Sequence, residues 1–122
     1  MLKTGEIDNH LEVINSDNCT ELTTIPPMPN LKLLICNYCT ALTNIPILPN
    51  LEQLICNGCT ALTSIPILPK VGYINCDDCI ALKDIPEAPN LKQLDCNRTR
   101  ITKIPVFPKL TYLSCIDCTR LT

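Results

Sequence analysis

Four Cys-x-x-Cys pairs, Cys36/Cys39, Cys56/Cys59, Cys76/Cys79 and Cys115/Cys118, hold eight of the ten cysteines. They are the residues whose type and spacing most resemble a chemical site. Two thiolate pairs with 16 residues between them match a ribbon-type site in which four sulfurs take zinc or an iron–sulfur cluster. On that reading Cys36, Cys39, Cys56, Cys59, Cys76 and Cys79 are the candidate metal ligands. Redox catalysis needs the pair at a helix N-terminus in a βαβ unit, and no helical pattern follows any pair here. His10, the single histidine, precedes the first pair, so no Cys-His or Ser-His nucleophile and base can be assembled. No catalytic residue is expected, and the chain is read as not an enzyme.

The cysteine spacing has a second cause. Blocks starting at Leu11, Leu31, Leu51, Val71, Leu91 and Leu110 repeat every 20 residues, or 19 for the block at Leu91. The first position is aliphatic throughout, as is the fourth (Ile14, Leu34, Leu54, Ile74, Leu94, Leu113). The sixth holds Ser16 and then Cys36, Cys56, Cys76, Cys96 and Cys115. The ninth holds Cys19, Cys39, Cys59, Cys79, Thr99 and Cys118. The twelfth returns to Leu or Ile, and the fifteenth is Ile in each complete block. A period of 20 gives Cys-x-x-Cys spacing to any small, apolar residue that fills two interior rows, and a protonated thiol is such a residue. Reduced buried thiols are therefore the leading reading. A metal site and inter-coil disulfides stay open as alternatives, and no cofactor is expected.

The first half of each block alternates apolar and variable positions, the period of a strand, so each block contributes one short strand to a parallel stack. All eleven prolines fall in the second half. Proline removes a donor and turns the preceding residue away from the α region, so Ile-Pro-x-x-Pro should run as an extended or polyproline-II arm. One coil cannot cover its own aliphatic rows, whereas neighbours about 4.8 Å apart cover one another. The organisation expected is an array over residues 11–122, with coils starting at 11, 31, 51, 71 and 91 and a partial coil at 110. Residues 1–10 form a candidate N-terminal cap.

The string L-x-x-L-x-C-x-x-C-x-x-L-x-x-I-P-x-x-P, seen in Leu31 to Pro49 and in Leu51 to Pro69, resembles the leucine-rich-repeat (LRR) family, whose signature is L-x-x-L-x-L-x-x-N/C-x-L. The short double-proline repeat is similar to arrays of bacterial effectors, and the Cys-Thr-x-Leu-Thr-x-Ile-Pro wording to LRR proteins of giant amoebal (mimivirus-like) viruses. The resemblance implies an LRR solenoid of the α/β class, with parallel strands on the concave side, extended convex arms and little or no helix. It also implies a protein-binding scaffold, a viral or pathogen factor acting in the host cytoplasm. The effectors' separate ligase domain corresponds to no residue here.

Under that resemblance the third and fifth positions of each block face outward on the concave sheet. The candidate binding residues are Leu33, Ile35, Gln53, Ile55, Tyr73, Asn75, Gln93, Asp95 and Tyr112, with an unidentified protein as partner. Asp17, Asn37, Asn57, Asp77 and Asn97 follow the strands and are expected to cap their turns as Asx-turns. Glu12, Lys32, Glu52, Gly72 and Lys92 place opposite charges on neighbouring coils and read as solvated pairs. The last coil exposes core rows, which suggests a homodimer through that face; a self-assembling structural repeat is a further alternative.

The net charge is −2 with both signs interspersed, so neither nucleic acid nor an anionic membrane is an expected partner. The segment Met1 to Asp8 lacks the apolar region of a secretory signal, and no apolar run is long enough to span a membrane. A soluble, intracellular protein is the expectation.

Overall fold

The computed structural model describes residues 10–122, so nine of the ten residues read as an N-terminal cap lie outside the described residues. Six three-residue strands form one parallel sheet in chain order: β1 (Val13–Asn15), β2 (Leu33–Ile35), β3 (Gln53–Ile55), β4 (Tyr73–Asn75), β5 (Gln93–Asp95) and β6 (Tyr112–Ser114). Each pairs with the next at the same position of its block, Ile14 with Leu34, Leu34 with Leu54, and on to Leu94 with Leu113. The shorter block at Leu91 keeps this register, so its missing residue is absorbed after the strand. The fold is a β-solenoid, with no helix among the described residues and none long and apolar enough to cross a membrane.

The strands are short because the backbone ladder passes directly into turns. The sixth-position amide of each coil donates to the fifth-position carbonyl of the next, as in Cys36 to Ile55 and Cys56 to Asn75, both 2.8 Å. The eighth-position amide donates to the next coil's seventh carbonyl, as in Tyr38 to Asn57 at 2.7 Å. Every eighth residue takes a left-handed conformation: Asn18, Tyr38, Gly58, Asp78, Arg98 and Asp117 have φ of 57 to 69°. Asn and Asp tolerate that region, but Tyr38 and Arg98 occupy it at a cost of about 1–2 kcal/mol each, offset by the ladder on both sides. Gly58 has an additional reason to be glycine. A Cβ there would press into the Tyr38 ring, reaching Cε1 at 2.7 Å.

The aspartate and asparagine row does not cap its own turns. Each side-chain oxygen accepts from the seventh-position amide of the next coil: Asn37 N–H to Asp17 Oδ1 (2.9 Å), Asn57 to Asn37 (2.9 Å), Asp77 to Asn57 (3.0 Å), Asn97 to Asp77 (2.8 Å) and Ile116 to Asn97 (2.6 Å). A neighbouring coil lies one strand spacing away, within reach of this short side chain, so the row bonds along the stack instead of back to its own turn. The local Asx bond is made two residues earlier, where Asn15 Oδ1 accepts from the Asp17 amide at 3.1 Å.

The return arm also differs from a uniform extended run. The second proline of Ile-Pro-x-x-Pro opens a turn, closed by bonds such as Leu31 N–H to Met28 O (3.2 Å) and Leu51 N–H to Leu48 O (3.1 Å). Proline at the second position of such a turn is favoured because its φ is already set. The residue before it is buried, which gives the core a further row: Met28, Leu48, Leu68, Ala88 and Phe107. With the first, fourth, sixth, ninth, twelfth and fifteenth positions, this row fills a continuous interior running along the stack. In the last coil Leu113 is 40 % exposed, whereas Leu34, Leu54, Ile74 and Leu94 in the same row are fully buried.

Asn37→Ala should lower unfolding free energy by about 1–3 kcal/mol, because the Asn57 amide then loses its acceptor, while Asn44→Ala on the exposed arm should change it by less than about 0.5 kcal/mol. Urea denaturation of the two variants checks this, and equal losses would refute the inter-coil bond as the cause.

Candidate functional site

Two surfaces hold the residues singled out from sequence, the sulfur rows inside and the outward sheet face. In the interior, ninth-position thiols donate to the sixth-position carbonyl of the preceding coil: Cys39 to Ser16 O (3.1 Å), Cys59 to Cys36 O (3.0 Å), Cys79 to Cys56 O (3.0 Å) and Cys118 to Cys96 O (2.9 Å). The thiol bonds therefore run diagonally between coils and not within one Cys-x-x-Cys string. All ten sulfurs are free thiols, eight of them buried and Cys115 and Cys118 half-buried. Among the described residues no three His, Cys, Asp or Glu side chains converge closely enough to hold a metal ion, so the geometry lends the metal reading no donor set. Ser16 and Thr99 stand where cysteines stand in other coils and are buried too. Thr99 departs from the pattern: its Oγ1 donates to the Cys96 carbonyl of its own coil at 2.9 Å, a carbonyl that the Cys118 thiol also reaches.

Burial without a nearby cation favours the neutral thiol. Cys36 and Cys56 are pushed far above the ordinary range, first by hydrogen bonding to the thiols Cys59 and Cys79 and then by burial. Burial is the first cause for Cys76, which is also raised, and for Cys96, which is pushed up to about 12. None of these four is prepared as a nucleophile at neutral pH.

The sheet face brings all nine candidate binding residues together in two columns. Leu33, Gln53, Tyr73, Gln93 and Tyr112 are successive register partners, and beside them run Ile35, Ile55, Asn75 and Asp95. Gln53 and Tyr112 are exposed and the other seven half-buried. The face divides by character. Over β2 and β3 it presents Leu33, Ile35 and Ile55. Over β4 and β5 it is polar and internally bonded, since the Tyr73 hydroxyl and Gln93 Nε2 both donate to Asp95 Oδ2, at 3.1 and 3.2 Å. Burial, reinforced by this acceptor, raises the Tyr73 phenol above its ordinary range. The bond network was not visible in the sequence, because its inter-coil bond joins residues 22 apart that only the register aligns.

Charge on neighbouring coils pairs as expected at one place, Lys32 Nζ to Glu12 Oε1 at 3.2 Å, with both side chains more than half exposed. Arg98 forms a two-pronged pair with Asp78, Nε to Oδ1 and Nη2 to Oδ2 at 3.2 Å. This pair holds the Asp78 carboxyl below its usual value. A groove lined by Lys70, Gly72, Lys92 and Lys109 opens at the start of β4 and β5; among these, only Gly72 and Lys92 belong to the charge row marked from sequence. No family model, no curated protein and no solved structure matches the chain.

In native protein, Cys115 and Cys118 should react with a disulfide reagent well before the eight buried thiols, which should follow only on unfolding. Because the folded Cys96 thiol is raised, its contribution to stability is complete below about pH 8.5 and is lost as pH rises towards about 12. Denaturation midpoints should therefore fall steadily above about pH 9. Uniform reaction of all ten thiols at native pH, or a midpoint flat to pH 11, would show that the sulfurs are not sealed in the core.

Proposed function

We propose that the chain is an LRR-type, non-enzymatic scaffold that binds a partner protein through the outward face of its six-stranded sheet. The observation that carries this reading is the contrast between the two sides of each strand. The inward side repeats a narrow aliphatic and thiol set, while the outward side changes from coil to coil, from Leu33 through Gln53 and Tyr73 to Gln93 and Tyr112. Interior rows that must pack against themselves vary little, and rows free of that demand can carry recognition.

The divided face suits a protein surface. Leu33, Ile35 and Ile55 offer a half-buried apolar patch, and Tyr73, Gln93 and Asp95 are already fixed by their mutual bonds, so little side-chain freedom is lost on docking. The thiol rows support the same reading, a ladder of reduced cysteines acting as core packing. On the resemblance to effector and giant-virus arrays, the scaffold would act in a host cell as a factor that engages host protein.

Affinity capture from host-cell extract with immobilised protein, followed by mass spectrometry, identifies the partner. Ile55→Glu combined with Tyr73→Ala should weaken its binding by more than tenfold, on the order of 1.4 kcal/mol or more, with the thermal midpoint of the solenoid changed little. Undiminished binding by a folded double variant would exclude this face.

A further inference from the structure

The charge row at the start of the strands reads Glu12, Lys32, Glu52, Gly72, Lys92, and Gly72 is the member that breaks its alternation. Nothing in the backbone requires glycine there. Its φ lies outside the left-handed region that Gly58 occupies, and an added Cβ would meet only Asn90 O at 3.8 Å and Glu52 O at 3.9 Å, ordinary contacts. Glycine in such a position also costs conformational entropy on folding. The missing side chain leaves an open groove of about 460 Å³ that continues onto the sheet at Tyr73.

Three ammonium groups border this groove, with Glu52 as the single carboxylate. Two of them are held in place. Asn50 Nδ2 is tied to Pro29 O at 2.7 Å while its Oδ1 accepts from Lys70 Nζ at 2.7 Å. Asn90 repeats the arrangement, with Nδ2 on Pro69 O at 3.1 Å and Oδ1 accepting from Lys109 Nζ at 3.0 Å. Lys92 makes no ion pair among the described residues. The groove is thus locally cationic in a chain whose net charge is −2.

We infer that this groove binds an extended acidic peptide segment, with carboxylates meeting Lys92 and the two asparagine-held lysines. The spacing favours a chain over a single small anion. Lys70 and Lys109 are borne by corners two coils apart, roughly 10 Å at one strand spacing per coil. Extended peptide places side chains three residues apart at a comparable distance. The inference rests on the sheet-face reading and names the chemistry of the partner at one end of it.

Fluorescence anisotropy with fluorescein-labelled hexaglutamate at low salt tests it, on the wild-type chain and on Gly72→Glu, Lys92→Gln and Lys83→Gln, the last lying outside the groove. Gly72→Glu fills the groove with a like charge, and Lys92→Gln removes the unpaired cation. Both should weaken binding about tenfold or more, while Lys83→Gln leaves it within about twofold. Should Gly72→Glu fail to fold, the exposed Lys92→Gln decides alone. The inference is overturned if the wild type does not bind hexaglutamate, if all three variants weaken it equally, or if inorganic phosphate at matched ionic strength displaces the probe. If hexaglutamate fails while Ile55→Glu with Tyr73→Ala still abolishes partner binding, this inference falls and the sheet-face reading stands.

Discussion

The structure depends on one constraint, that every coil hydrogen-bonds to an equivalent coil one strand spacing away. This fixes the same position of each block beside its own copies along the stack, so a residue type is admissible only if it tolerates itself as a neighbour. Aliphatic side chains do so by packing. An asparagine or aspartate oxygen does so by accepting from the next coil's amide, which is why Asp17, Asn37, Asn57, Asp77 and Asn97 carry the ladder through the turn. The same neighbours hold Tyr38 and Arg98 in a left-handed conformation that isolated residues of their type avoid.

Much of this was legible because a period of 20 makes interior rows visible as columns of like residues. The strands, their register, the parallel order and the absence of helix among the described residues all follow from columns such as Leu31, Leu51, Val71 and Leu91. The row Met28, Leu48, Leu68, Ala88 and Phe107 was not read as interior. Its identities vary in size, and it is framed by prolines that suggested an exposed arm, although the proline after it only opens a turn. The Asx row was located correctly and its bonding mistaken, since the same side chain can reach its own turn or the next coil and only the stacking distance decides. The left-handed row has Asn18, Gly58, Asp78 and Asp117 as its signal, but Tyr38 and Arg98 interrupt it and kept the column from being read.

The candidate site was legible to the same depth. Alternation along each strand places the outward residues, and the register then sets them in columns. What sequence could not supply is which of them bond to one another. Tyr73, Gln93 and Asp95 form a network because two coils align, and Gly72 opens a groove because a side chain is missing where its row has charged residues on either side. An absent side chain leaves no motif, and its effect exists only relative to Glu52 and Lys92.

The cysteines show how a repeat period alone can produce the spacing of a chemical site. Cys-x-x-Cys implies mutual proximity when a loop or helix curls the two sulfurs together, but here the string crosses from strand into turn, and the Cys39, Cys59, Cys79 and Cys118 thiols are committed to carbonyls of the preceding coil. Thr99, in the same row, bonds instead to the Cys96 carbonyl of its own coil, which the Cys118 thiol also reaches. A metal would have to draw these thiols away from their carbonyls and leave those acceptors unpaired in the core, and it would meet unequal sulfurs, since burial raises Cys39 while the hydrogen bond to Cys36 lowers Cys59.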